Sequence, residues 1–449
     1  MKKIKLVVIG GDAAGMSAAS KVRRERPGYE IVVFERGNHT SYSACGMPYY
    51  IGGEIKSEEQ LIARKPEVFI QKQNIDVRIR HEVIEIDATN KRVKVINLDS
   101  GDNFWEQWDN LLIATGASPF VPEMDNIDAE GVFSLSTLQS GIDVNNFIKL
   151  HKPKRAVVVG GGYIGIEMAE ALNGLEMEVT LIDMAPQLMT TLDRDMSEIV
   201  LEHIKSYNVN VFLEERLVKL QKDNEGRVKS VVTDKQTIPA DIVILGMGVK
   251  PNSELAARAG IKLGANNAIM VNTRLETNFS DIWAAGDCAE SFHLLAKKQV
   301  HIALGTVANK HGLVAGINIS GGNAEFPGVI GTAITKFHNL EISRTGLSEK
   351  EAKDLGIDYQ AESISSVNPA GYYPGFGKIT VKMLVDKKTK TILGGQIIGA
   401  KGSAKRIDTL ATAITAKLTA QQLTDLDLAY APPFSTTWDP VQIAARKLN

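Results

Sequence analysis

Cys45 is the residue of this sequence best suited to covalent chemistry. It stands in the phrase Ser41-Tyr42-Ser43-Ala44-Cys45-Gly46-Met47-Pro48-Tyr49. A cysteine thiolate is a nucleophile and a redox group, whereas a thiol packed in a core is a small hydrophobe, and both interpretations are open here. Cys288 is the only other cysteine, which excludes a disulfide framework and a CxxC zinc site. Such cysteine usage is typical of a reducing compartment, so we expect a cytoplasmic protein without a metal site.

Two glycine-rich phrases, Gly10–Gly15 and Gly160–Gly165, have the composition of phosphate-binding turns. Glycines allow the backbone to turn tightly and to approach a pyrophosphate, which rests on the N–H groups of the following helix. Glu35 stands 20 positions after the first phrase and Asp183 stands 18 after the second. Such an acid accepts hydrogen bonds from ribose hydroxyls. The first phrase departs from the pattern because Asp12 replaces its middle glycine.

Asp183 also bears on the choice of nicotinamide cofactor. A carboxylate at this position would repel the additional phosphate of NADP. The residues that follow, Met184-Ala185-Pro186-Gln187, include no arginine to receive that phosphate. We therefore expect NADH, with NADPH as the alternative.

Each glycine phrase needs a strand before it and a helix after it. Lys5–Ile9 and Ala156–Val159 read as buried parallel strands, and further strands are expected at Ile31–Phe34 and Val179–Ile182. The two turns begin 150 residues apart, so they belong to separate nucleotide-binding folds. The C-terminal part differs, with a predicted hairpin and helix suited to subunit contacts: Lys378–Val385, Ile392–Gly399 and Ile407–Leu418.

Length and composition limit the classes of function. The 449 residues suggest about three domains. Lys+Arg 51 against Asp+Glu 53 gives a net charge of -2, which provides no global field for nucleic acid. The apolar runs are short and broken by glycine, so no membrane partner is expected.

Four phrases, taken in order, resemble the two-dinucleotide flavoprotein disulfide reductases: Gly10–Gly15, Ala114–Gly116, Gly160–Gly165 and Ala284–Asp287. The resemblance implies an α/β fold with two Rossmann-like dinucleotide-binding domains, for FAD and NAD, and a C-terminal α+β dimerisation domain. The implied boundaries are an FAD domain over 1–120 and 251–322, an NAD(P)H domain over 121–250, and a dimerisation domain over 323–449.

The neighbourhood of Cys45 narrows the resemblance to a single-cysteine branch. Larger relatives carry a second redox cysteine five positions on, where this chain has Tyr50. The branch includes coenzyme A-disulfide reductases, persulfide and polysulfide reductases, NADH oxidases and NADH peroxidases. Its oxidases and peroxidases carry a histidine at the position of Ala13. Peroxide chemistry in this chain would therefore lack that acid-base side chain. Cys288 is expected to be buried and structural.

The resemblance assigns the cofactor contacts residue by residue. Those for FAD are Gly10, Asp12, Ala13, Ala14, Gly15, Glu35, Arg36, Ser43, Val83, Ala114, Thr115, Gly116 and Asp287. Those for NAD are Gly160, Gly162, Tyr163, Ile164, Gly165, Glu167, Asp183 and Gly248.

Basic residues at the end of the first helix could bind the phosphates of coenzyme A. The alternative is a solvated helix end, where cations favour the helix dipole. By resemblance, the candidate coenzyme A contacts are Ser17, Lys21, Arg24, Ser41, Lys72 and Asn309. Tyr430, and after it Tyr372, would reach the partner's cysteine across a homodimer interface, unless both are ordinary packing tyrosines.

The function implied is an FAD-dependent NAD(P)H oxidoreductase. It would reduce coenzyme A disulfide, coenzyme A persulfide or polysulfide through Cys45, with Tyr430 and Tyr372 as the other catalytic residues and coenzyme A as substrate or as an adduct on Cys45. The alternatives are an NADH oxidase that uses oxygen, or a flavoprotein electron carrier or redox sensor in which Cys45 is incidental.

Overall fold

A parallel five-stranded sheet lies at the centre of the first of two units in the computed structural model, which describes residues 3–449. Its strand order is Ile282–Ala284, Asn110–Ile113, Lys5–Ile9, Glu30–Glu35 and Asp76–Ile79. This unit comprises the chain up to Phe120 together with Leu135–Phe147 and Gly248–Val329. The central strand is the predicted Lys5–Ile9, and the apolar side chains of its residues 6–9 are buried.

Helices and short antiparallel strands complete the first unit. The helices are Ala13–Glu25, Met47–Ile51, Pro66–Gln73, Glu254–Arg258, Gly305–Ile319 and the start of Leu138–His151. The remaining strands are His81–Asp87, Arg92–Asn97, Asn103–Gln107, Ala117–Pro119, Val249–Pro251, Ser291–His293 and Lys298–Val300.

Close packing of two helices shapes this unit near the predicted coenzyme A contacts. The first helix, Ala13–Glu25, lies against Gly305–Ile319. A Cβ atom at Gly312 would collide with the backbone oxygen of Ala14, and one at Gly316 would lie 2.9 Å from that of Ala18. The two glycines therefore allow the helices to approach closely.

The second unit contains another parallel five-stranded sheet. Its strand order is Asn210–Phe212, Glu178–Ile182, Arg155–Val159, Ile242–Leu245 and Val132–Ser134. A small antiparallel sheet accompanies it, formed by Leu217–Lys222, Val228–Thr233 and Thr237–Pro239. Its helices are Tyr163–Gly174 and Arg194–Ser206.

An antiparallel five-stranded sheet forms the C-terminal part of the second unit. In order, its strands are Ala333–Phe337, Leu340–Gly346, Ile392–Gly399, Gly377–Asp386 and Tyr359–Asn368. The predicted hairpin is present in this sheet. The helix predicted over Ile407–Leu418 is also present but ends earlier, at Thr415. The helices of this part are Glu349–Asp354, Ile407–Thr415, Ala420–Thr424 and Pro440–Arg446.

The predicted α/β class, with two parallel-sheet nucleotide-binding folds and an α+β C-terminal part, is confirmed. Residues 135–147 belong to the first unit, and the C-terminal part belongs to the second unit with the second parallel sheet. The boundaries at 120, 250 and 322 remain predictions. Over residues 3–449, the helices are too short or too polar to cross a membrane.

Candidate functional site

The first glycine turn connects the strand Lys5–Ile9 to the first helix. Gly10 adopts a positive φ of 106°, and a Cβ there would collide with the carbonyl oxygen of Ala114. The Glu35 carboxylate stabilises the turn, because its two oxygens accept hydrogen bonds from Gly11 N and Gly37 N, each at 2.7 Å. Each carboxylate oxygen has a second lone pair. Glu35 therefore fixes the turn and still has acceptor capacity for a ribose.

Asp287 provides the test of whether a flavin cofactor fits this unit. Its Oδ1 is buried and has no hydrogen-bond partner among residues 3–449, and burial raises the pKa of the carboxyl group. Its backbone oxygen is held 2.7 Å from His301 Nε2. A buried acceptor is costly when unsatisfied, so this position fits a hydroxyl donor such as one on the ribityl chain of FAD.

The other predicted FAD contacts lie on elements around the same sheet. Thr115 Oγ1 donates to Asn252 O at 2.6 Å, and Gly116 turns with φ 68°. Arg36 lies 4.0 Å from Glu82 and is mostly exposed, while Val83 is buried. The remaining residues are at the start of the first helix, on the Cys45 loop and at a strand end: Asp12, Ala13, Ala14, Gly15, Ser43 and Ala114.

The second glycine turn repeats this arrangement in the second unit. Gly160 has φ 110°, and Asp183 accepts from Gly161 N at 2.5 Å and from Ala185 N at 2.7 Å. Nothing lies within 4 Å of a Cβ built on Gly162, so this side of the turn is open. The predicted residues Tyr163, Ile164, Gly165 and Glu167 form the beginning of the next helix.

Glu167 is a half-buried carboxylate on that helix. Burial raises its pKa, and Thr335 Oγ1 donates to Glu167 Oε1 at 2.8 Å. The bond from Thr335 fixes the orientation of the side chain. Gly248, the last predicted NAD contact, has φ 92° and belongs to the first unit.

Cys45 is exposed on a single 3₁₀ turn, Ala44–Gly46, which leads into the helix Met47–Ile51. The loop is tied down before the cysteine, because Ser43 N donates to Leu61 O at 2.8 Å. A Cβ at Gly46 would collide with the side chain of Leu61. Cys288 is fully buried as predicted, and burial raises the pKa of its thiol. Cys45 is therefore the accessible cysteine.

A cleft of about 540 Å³ runs along the first helix. It brings together four of the six predicted coenzyme A contacts, Ser17, Arg24, Ser41 and Asn309. Ser17 Oγ donates to Asn309 Oδ1 at 2.9 Å, which links the two closely packed helices. The cleft also takes in Ser43, two residues before Cys45, so it extends to the loop that carries the thiol.

The other two predicted contacts do not line this cleft. Lys21 is paired with Glu25 at 2.5 Å on the same helix face, which explains its position by an ordinary i,i+4 ion pair. Lys72 is exposed near the end of the helix Pro66–Gln73.

Arg64 and Phe69 line the cleft but were missed by sequence reasoning. The guanidinium of Arg64 lies 5.1 Å from the centroid of the Phe69 ring. Arg64 reaches the cleft because Ala63 N and Arg64 N donate to Ser41 O, at 2.9 and 3.3 Å. No motif links residues about 20 positions apart in irregular chain, so the sequence contains no signal for this pairing.

Tyr372 and Tyr430 come together in the second unit. Their phrases are joined by the bond from Ala370 N to Pro432 O at 3.1 Å. A hydrogen bond between the two hydroxyls raises the pKa of Tyr372 and lowers the pKa of Tyr430, which is also hydrogen-bonded to Thr437. The structure therefore brings the two predicted tyrosines within hydrogen-bonding distance of each other.

Two family descriptions match the chain. Pyridine nucleotide-disulphide oxidoreductase matches residues 4–312, and its dimerisation domain matches residues 332–440. The curated relatives include an NAD(P)H sulfur oxidoreductase (CoA-dependent) of Pyrococcus furiosus, 41% identical with 100% of both chains covered. An NADH oxidase of Methanocaldococcus jannaschii is 36% identical, with 98% of both covered. A coenzyme A disulfide reductase of Staphylococcus haemolyticus is 31% identical, with 99% of both covered.

Solved structures give the same result. Reduced Bacillus anthracis CoADR-RHD superposes with a TM-score of 0.96 at 35% identity, covering 100% of this chain and 80% of that one. An NAD-dependent persulfide reductase from A. fulgidus superposes with a TM-score of 0.95 at 40% identity, covering 99% of this chain and 82% of that one.

Proposed function

We infer the function of this chain from its family: it belongs to the pyridine nucleotide-disulphide oxidoreductases. It is an NAD(P)H-dependent flavoprotein reductase, and we assign coenzyme A disulfide and coenzyme A persulfide as its substrates. The observation that carries this assignment is the cleft along the first helix, which runs from Arg24 to the loop of Cys45.

The side chains of the cleft suit coenzyme A. Arg24 and Arg64 provide two cations for its phosphate groups, and arginine binds phosphate in a bidentate geometry. Ser17, Ser41 and Asn309 offer hydrogen bonds to the amides of the pantetheine arm. The exposed thiol of Cys45, on the loop at the other end, can then exchange with the disulfide or persulfide sulfur of the ligand.

The cofactor sites support two-electron transfer to that sulfur. A bound FAD would supply the two-electron chemistry that links the nicotinamide to the Cys45 disulfide. Gly10, Glu35 and Asp287 would hold FAD, and Gly160 and Asp183 would hold the nicotinamide cofactor. We assign NADH because the Asp183 carboxylate, fixed by two backbone N–H groups, would repel the additional phosphate of NADPH.

The active unit is a homodimer. The C-terminal part matches a dimerisation domain and exposes aromatic side chains on the two tyrosine phrases, among them Tyr372 and Phe434. In this proposal Tyr430, with its pKa lowered by Tyr372, donates a proton to the first thiolate that leaves when Cys45 attacks coenzyme A disulfide.

An NADH oxidase is the second candidate, because a relative 36% identical to the chain carries that name. Ala13 provides no acid-base side chain at the first glycine turn, which disfavours peroxide and oxygen chemistry. The third candidate, an electron carrier or redox sensor, would leave the cleft without a substrate.

The test measures free coenzyme A released from coenzyme A disulfide under anaerobic conditions with NADH in excess. Two thiols per NADH are expected for the unmodified enzyme, and none for Cys45→Ser, while the bleaching of FAD by NADH persists in both. Cys288→Ala is the matched control and retains release, because Cys288 is buried. Full release by Cys45→Ser contradicts the proposal.

A further inference from the structure

We propose that Asp12 supplies the proton taken up by the coenzyme A thiolate that leaves Cys45, an inference that rests on the proposed function. This gives the residue that breaks the first glycine pattern a role in catalysis.

The side chain of Asp12 faces the cleft and does not cap the helix it precedes. Asp12 is the residue before the first helix, with φ −110° and ψ −152°, yet its carboxylate makes no capping hydrogen bond. Instead Asp12 Oδ1 accepts from Tyr42 N at 3.2 Å, and Asp12 is among the residues that line the cleft. Tyr42 stands three positions before Cys45 on the same loop, so the bond ties the carboxyl to that loop.

Asp12 lies at the opposite end of the first helix from Arg24, one of the two cleft cations assigned to the phosphates. The first helix has 13 residues, a length of about 20 Å, with Asp12 before its first turn and Arg24 in its last. Coenzyme A has its phosphates at one end and its thiol at the other. With the phosphates at Arg24, the pantetheine arm runs along the helix towards Asp12 and the Cys45 loop.

The surroundings raise the Asp12 pKa towards neutral pH, so the protonated form of the carboxyl is populated there. Burial raises its pKa to about 7, and the nearby carboxylates of Glu35 and Asp287 act in the same direction. The backbone N–H groups of Tyr42 and Ala13 oppose this rise. Burial also raises the pKa of the Tyr42 hydroxyl, to which Asp12 and Glu35 contribute, so Tyr42 does not compete as an acid. Two cations, Arg24 and Arg64, line the same cleft.

The chemical step balances with these groups. The mixed disulfide between Cys45 and coenzyme A takes up two electrons, which NADH would supply by way of a bound FAD. The S–S bond breaks, Cys45 keeps a thiolate, and the coenzyme A sulfur takes the proton from the Asp12 carboxyl and leaves as a thiol. Asp12 is protonated again from solvent through the open cleft. Tyr430 would thus serve the first thiol released and Asp12 the second.

The experiment is a single turnover. Enzyme carrying coenzyme A on Cys45 is mixed anaerobically with NADH between about pH 5.5 and 8.5, and free coenzyme A is quantified. In the unmodified enzyme the release rate falls as pH rises through the Asp12 pKa of about 7, since the acid form is lost. Asp12→Asn, which keeps an acceptor for Tyr42 N, releases about tenfold more slowly at pH 6 and shows no such fall. The effect is below the usual 10²–10⁴-fold because a thiolate leaves readily.

Asp99→Asn is the matched control, because Asp99 is an exposed carboxylate paired with Arg80, and it keeps the full pH profile. Asp12→Glu restores the acid and, with it, the falling limb of the profile. Infrared spectra of the Cys45→Ser enzyme between pH 6 and 8 measure the protonation of the Asp12 carboxyl without turnover. The band of the protonated carboxyl should be absent when Asp12→Asn is added.

An unchanged profile in Asp12→Asn overturns the inference, and so does the absence of that infrared band. If Asp12→Asn loses FAD, two other measurements decide whether Asp12 is the acid. These are the carboxyl infrared band of the Cys45→Ser enzyme and the pH profile of coenzyme A release by Asp12→Glu. Thiol release that survives Cys45→Ser overturns the proposed function instead, so the two failures are distinguishable.

Discussion

At the scale of single residues, the two acids that follow the glycine turns do more than sequence spacing indicates. Glu35 and Asp183 each bridge two backbone N–H groups, so each holds its turn closed before any cofactor binds. Met184, directly after Asp183, is 75% exposed. We therefore expect the specificity for NADH over NADPH to depend on the fixed carboxylate of Asp183, which lies beside the exposed Met184.

We expect the double variant Asp183→Ala, Met184→Arg to raise the preference for NADPH over NADH by about 100-fold. Removing a like charge and adding a charge-assisted hydrogen bond to the phosphate is worth about 3 kcal/mol. Its kcat/KM for NADH falls because Gly161 N loses its acceptor. Steady-state kinetics with both cofactors measure the ratio, and Arg194→Ala serves as the exposed control. A ratio equal to that of the unmodified enzyme would contradict the role of Asp183.

At the scale of elements, the cleft depends on how closely two helices approach. Ser17 and Asn309 belong to different helices, 292 positions apart, and meet because Gly312 allows contact with Ala14. The strands and glycine turns could be predicted from apolar runs and glycine spacing. The pairing of residues 63–64 with Ser41 could not, because it is a tertiary hydrogen-bonding pattern between irregular segments. For this reason Arg64 and Phe69 were missed.

Gly312→Ala should destabilise the first unit by about 1–3 kcal/mol, because an added methyl group in a tight helix crossing forces the helices apart. The KM for coenzyme A disulfide should rise as Ser17 and Asn309 separate. Gly305→Ala is the control, because nothing lies within 4 Å of a Cβ at that position. Urea unfolding and steady-state kinetics measure the two effects, and equal stability of the two variants would show that the crossing is not tight.

At the scale of the whole molecule, the proposed function requires two chains, since we propose that the tyrosine pair acts on the Cys45 of the partner subunit. The C-terminal part exposes Tyr372, Phe376, Tyr430, Phe434 and Trp438. Exposed aromatic side chains of this number are typical of an interface. The sequence indicated the contact role of this part through its lack of a phosphate turn, but the aromatic surface is visible only in the folded chain.

Phe434→Asp should weaken dimerisation by about 100-fold, because it replaces about 2–3 kcal/mol of apolar burial with a charge. Thiol release should fall with the dimer fraction as the enzyme is diluted. Phe120→Asp, an equally non-conservative change at a half-exposed phenylalanine of the first unit, should leave the dimer intact. Sedimentation velocity over a dilution series measures both, and an undiminished dimer in Phe434→Asp would place the interface elsewhere.

Intact mass spectrometry shows whether Cys45 carries coenzyme A during turnover. Enzyme incubated with coenzyme A disulfide should gain the mass of one coenzyme A less two hydrogens per chain, mapped by peptide digestion to Cys45. Anaerobic NADH should remove this mass and release one equivalent of free coenzyme A. Enzyme that gains no mass, or gains it at Cys288, would contradict the account.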